Sequence, residues 1–139
     1  MKQFPRCISR LALLGALAAT ALPAHAHHSF AMFDFTKVVT ITGTVKEFQW
    51  TNPHVVVWVN VEGKDPKNPD VWMLEMTSPG NLTRGGWTRK ALNPGDKVVV
   101  ELNPLRNGNL GGALIKVTLS ATGQVFSTNL RDMEKPGLK

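Results

Sequence analysis

Cysteine and tyrosine are almost missing from this chain of 139 residues, which has one cysteine, Cys7, and no tyrosine. Cys7 precedes an apolar stretch over residues 11–22 and is badly placed for lipidation after cleavage of a leader. If the leader is lost, no cysteine remains, which excludes disulfides, thiolate zinc sites and cysteine nucleophiles. Long hydrophobic runs are also missing. The stretch 11–22 falls short of the ~20 residues needed to cross a bilayer. Acidic residues are absent from the first 26 positions, which carry Lys2, Arg6 and Arg10. No carboxylate-oriented Ser-His pair can be argued from spacing, Ser29 included, so hydrolytic chemistry has no visible set. The glycines at 108–112 lack the lysine and helix that a phosphate-cradling loop requires.

What is present at the start reads as a secretory signal peptide over residues 1–26. It has a basic beginning, an apolar centre, and small residues at Ala24 and Ala26 where a signal peptidase inspects the chain. Cutting after Ala26 would make His27 the first residue, with His28 next. A cut after Ala24 would instead begin the chain His25-Ala26-His27, although Leu22 fits the upstream recognition position poorly. The expectation is an exported, periplasmic protein. Removing three of the sixteen basic residues and none of the ten acidic ones leaves a formal charge of +3 in place of +6. A residual charge that small and dispersed argues against nucleic acid as a partner.

Residues 27–139 are one small domain's worth of chain, with no internal repeat. The division expected is an N-terminal arm at 27–36, a barrel at 37–120 and a C-terminal tail at 121–139. Residues 37–50 alternate, with Val39, Ile41, Gly43 and Val45 on one face. Gly43 inside that run marks a bend or bulge. Thr51-Asn52-Pro53 ends the strand, and a second begins at His54 with Val55, Val57, Val59 and Val61 inward. Residues 62–70 form a loop. A third strand at 71–77 places Trp72, Leu74 and Met76 on one side, Met73 and Glu75 on the other. Ser78-Pro79 opens a short helix, serine as N-cap and proline at the first position. Strands at 97–102 and 113–119 follow, and Val125-Phe126 can add a short edge strand before a disordered end. Three strands, a helical insert and two strands is the order of an OB-type barrel. The fold class expected is therefore mainly β: an OB-like five-stranded barrel with one short helical insert behind a cleaved signal peptide.

After cleavage only His27, His28 and His54 remain as histidines. A free terminal amine and the Nδ1 of His27 can close a chelate ring, and one ring nitrogen of His54 would complete a planar three-nitrogen set. That histidine-brace arrangement suits copper(II), with His28 as an additional ligand or a supporting group. Against it stands the plain alternative of a solvated His-His terminus and a surface His54 bonded to the Asn52 turn. Glu75 can accept a histidine N–H or complete a metal site, or pair as an ordinary surface carboxylate with Arg84 or Lys90. Core packing explains Met73 and Met76 more simply than copper(I) ligation. Trp58, Trp87, Arg84 and Glu75 make a second candidate set, an aromatic and charged barrel face for a small ligand, envelope glycan or protein partner. Most of the aromatics fit better as core, and as the seam between arm and barrel.

The motifs His27-His28-Ser29-Phe30, Phe33-Asp34, Gly43-Thr44-Val45 and Phe48-Gln49-Trp50-Thr51-Asn52-Pro53-His54 occur in order. So do Trp72-Met73-Leu74-Glu75, Ser78-Pro79, Leu82-Thr83-Arg84-Gly85-Gly86-Trp87-Thr88-Arg89 and Leu92-Asn93-Pro94-Gly95-Asp96-Lys97-Val98. In these the chain resembles the short exported proteins grouped as domain-of-unknown-function family 6152. Gly85-Gly86 stands where that pattern has an arginine and one glycine, which bears on the basic patch. The resemblance implies an exported bacterial β-barrel and places His27, His28, His54, Glu75, Arg84 and Trp87 on matching positions. It implies no activity. The functional expectation is a monomeric periplasmic copper carrier, not a catalyst, exchanging metal with a periplasmic donor or acceptor protein. A metal-free binding module is the alternative. A brace-type copper oxidase or oxygenase is a third reading, which would need an open copper face.

Overall fold

The pairing of strands closes this chain on itself. The computed structural model describes residues 30–128 except 64 and 66. A 3-10 turn at Phe30–Met32 leads to β1 (Val39–Gln49), β2 (Val56–Val61), β3 (Asp70–Glu75), α1 (Pro79–Arg84), β4 (Lys97–Pro104), β5 (Gly111–Leu119) and β6 (Val125–Ser127). The sheet order is β3-β2-β1-β4-β5-β6, and a further parallel pairing of β3 with β5 closes five strands into a mixed barrel. That is the OB-like architecture expected from the element order.

Period-two alternation decides which side chains fill it. Val55, Val57 and Val59 are 0–1% exposed, and Leu74, Val98, Val100, Leu102 and Leu114 are fully buried. Each such side chain contributes about 1.5–3 kcal/mol by leaving water. The glycine at 43 works differently from the bend expected there. The irregularity in β1 falls between Val45 and Glu47, whereas a Cβ on Gly43 would collide with the Asn60 carbonyl of β2. Close strand approach is what requires glycine there.

Ser78 caps α1 as expected, its hydroxyl accepting from the Asn81 N–H at 3.4 Å, with Pro79 in the first turn. The helix ends at Arg84. Beyond it Trp87 turns inward and stacks with Phe48 and Phe126, with ring centres 6.3 and 5.0 Å away. Trp50 meets Phe48 at 5.7 Å. These rings are core, as most of the aromatics were expected to be. The edge strand expected at Val125-Phe126 forms and pairs with β5; the disorder expected after it lies outside the described residues.

Candidate functional site

His54 stands just before β2, after a cis Asn52–Pro53 bond. Two backbone bonds, Val55 N–H to the Thr77 carbonyl at 3.1 Å and Met76 N–H to the Val55 carbonyl at 2.8 Å, carry the β2–β3 ladder past the strand ends. Alternation then sends His54, Val56 and Trp58 to the outer face, and Glu75, the partner of Val56, joins them there. The His54 Nδ1 lies 2.5 Å from the Glu75 Oε1, with the two side chains 29% and 16% exposed. Because the carboxylate accepts, Nδ1 is the donating nitrogen, and in a neutral imidazole the lone pair then falls to Nε2. That tautomer is the one a metal-ligating imidazole adopts when a carboxylate orients it. Of the two pairings open to Glu75 in the sequence, the structure shows the histidine and not Arg84 or Lys90.

Among the described residues no group of three or more histidine, cysteine, aspartate or glutamate side chains converges as a metal site. His27 and His28 lie outside the described residues. Trp58 shares the outer face of the pair and is half-buried opposite Met73. Met73 itself is 38% exposed while Met76 is 1% exposed, so the core packing expected of both holds only for Met76. The reason is register: Met73 shares the outward parity of Glu75.

Arg84 and Trp87 belong to a different place. With Thr77, Asn81, Leu82, Gly85, Ser127 and Thr128 they line a cavity of about 320 Å³ between α1 and β6. Trp87 is 1% exposed, and its indole N–H donates to the Ser127 carbonyl at 2.8 Å. It forms the floor of that cavity, not an open stacking platform. Trp58 and Glu75 on one side, Arg84 and Trp87 on the other, are thus not one binding face.

The N-terminal arm is held firmly where it is described. Phe33 bridges Leu105, the Asp34 N–H donates to the Pro104 carbonyl at 2.8 Å, and the Arg106 N–H to the Met32 carbonyl at 2.9 Å. Phe33 packs with Phe35, Leu105 and Ala113 in a small cluster apart from the main core. Asp34 anchors the turn that follows. The Thr36 hydroxyl donates to its carboxylate at 2.6 Å, and Lys37 lies 3.2 Å away. That hydroxyl bond first, then Lys37 and the Thr36 N–H, hold its pKa down at about 2 against the opposing effect of burial. Nothing in the composition singles out Asp34; an aspartate two residues before a threonine was the available signal.

A rung of the wall runs from Phe33 through Leu105, Gly111 and Met73 to Trp58. His54 lies four residues before Trp58, just ahead of β2, roughly 13 Å in the strand direction.

A family model described as a family of unknown function (DUF6152) matches residues 15–115. No curated protein and no solved structure matches the chain. No helix among the described residues is long and apolar enough to cross a membrane.

Proposed function

The chain belongs to the family of unknown function DUF6152, and since that membership transfers no activity, we propose from its own residues that it is an exported, periplasmic copper-binding protein. The observation that carries this reading is the His54–Glu75 pair at 2.5 Å. A carboxylate that accepts the hydrogen bond of Nδ1–H makes Nε2 the better donor to a metal and holds the ring in one direction, which is what a metal ligand needs. His27 and His28, at a terminus created by cleavage after Ala26, would add the amine and further imidazole nitrogens. An all-nitrogen set of this kind favours copper(II). The role is capture and delivery to a periplasmic donor or acceptor.

The arm sets a condition on this site. His27 precedes Phe33 by six residues, which span at most about 20 Å when fully extended. The Phe30–Met32 turn shortens that reach, since a 3-10 turn rises only ~2 Å per residue. Traced back from Phe33, the arm passes Arg106 beyond the end of β4 and so heads away from His54. A brace within one chain therefore draws the 3-10 turn out and loosens the bond of the Arg106 N–H to the Met32 carbonyl.

The test is intact mass of the exported protein, followed by copper titration against a competing chelator. A chain beginning at His27 that holds one copper tightly, and loses it when one residue is added before His27, is the expected result. Glu75→Gln should weaken binding by about 10- to 100-fold. A different start, or tight binding indifferent to the added residue, removes the terminal chelate. A metal-free binding module remains the second reading, and one observation favours it: the cavity between α1 and β6.

A further inference from the structure

The cavity of about 320 Å³ has a wall built as a chain of side-chain bonds. The Asn81 amide donates to the Thr77 hydroxyl at 2.8 Å, and Arg84 donates through Nη2 to the Asn81 carbonyl oxygen. Arg84 is exposed, and among the described residues no carboxylate pairs with it. A guanidinium presents five N–H groups in a fixed plane. The bond to Asn81 engages one and sets the orientation of the rest. Across the cavity stand Ser127 and Thr128, and the floor is Leu82 and Trp87, 2% and 1% exposed.

Volume, charge and polarity each narrow the ligand. Small-molecule sites begin at about 300 Å³, so this one takes a compact molecule. The lining holds a single cation and otherwise amide, hydroxyl and apolar groups. One guanidinium offsets one negative charge, which fits a monoanion better than a phosphate dianion. Its planar fork matches a carboxylate, which it can hold by two parallel N–H bonds. The Leu82 and Trp87 floor suits a short carbon body.

We propose that the cavity between α1 and β6 binds a small organic monocarboxylate, with Arg84 holding the carboxylate group. The site is separate from His54 and Glu75 and does not depend on copper.

Titration of the protein with butyrate, followed by the NMR resonances of the Arg84 Nε–H and the Trp87 indole N–H, tests this. Saturable shifts at both positions with a Kd on the order of 1 mM are expected for so few atoms. Phosphate and chloride at matched ionic strength should give only shallow, unsaturating drifts. Arg84→Gln should weaken butyrate at least about tenfold. Its unshifted Trp87 resonance without ligand would show an intact fold, because Arg84 is exposed and packs into no core. Shifts that never saturate, tighter binding of phosphate, or equal affinity in Arg84→Gln would each overturn the proposal.

Discussion

The outer wall of this barrel is covered on one side and more open on the other. Over the ends of β4 and β5 the arm lies down so closely that Ala113 is 1% and Asn103 4% exposed, although both point away from the barrel interior. The Asn103 amide even donates to the Lys37 carbonyl at 2.6 Å. Over β2 and β3 no described segment plays that part. Val71 and Met73 are 37% and 38% exposed there, while the His54 and Glu75 side chains, nearer the covered Ala113, are 29% and 16% exposed. The contrast teaches that alternation alone does not separate core from surface. An outward residue is buried wherever a second layer of chain reaches it.

The largest effect should come from removing the cover. Phe33→Ala takes a ring 2% exposed out of the small cluster, and urea denaturation should show a loss of about 3 kcal/mol. Asp34→Asn should act more mildly and in a pH-dependent way. The depressed pKa of about 2, against a usual 3.8, means that ionised Asp34 stabilises the fold fully above pH 3.8. That contribution disappears as pH falls through about 2. Thermal melts between these limits should therefore lose a component in the native protein that is missing in Asp34→Asn. An unchanged slope would mean that the Thr36 and Lys37 contacts do not hold the carboxylate in solution. On the more open wall Met73→Ser should change stability by less than about 0.5 kcal/mol, as for a surface site. A loss comparable to that of Phe33→Ala would show that something covers β2 and β3 as well.

The arm also joins the comparison to the proposed copper site. If His27 and His54 of one chain share a metal, copper should speed hydrogen exchange at the Arg106 amide, whose bond to the Met32 carbonyl fastens the 3-10 turn beside the end of β4. Exchange that stays slow while copper is tightly bound would mean that the arm remains docked and His54 of the same chain takes no part.

Much of the fold was legible along the chain because its signals are local. The inward valines of β2 follow from alternation, and Ser78-Pro79 marks the start of α1 by capping chemistry alone. Gly43 was noticed for the right reason in general and the wrong one in detail, since the collision it avoids comes from Asn60 on another strand. Met73 was misjudged because its parity was visible while the absence of a covering layer was not. The site was legible only in its parts. His54 and Glu75 were both singled out, but their contact depends on the β2–β3 register carried past the strand ends by Val55, Met76 and Thr77.

By itself, then, the amino-acid sequence determined the alternating strands, the capped helix between the third and fourth of them, and the family. Each of these rests on neighbours within a few positions or on ordered motifs. Only the tertiary structure decided that Glu75 meets His54, that Arg84 and Trp87 line a cavity apart from them, and that the arm is laid over β4 and β5. Those are contacts between distant segments, set by the β2–β3 register, the placing of β6 beside α1 and the bonds of the arm to the end of β4.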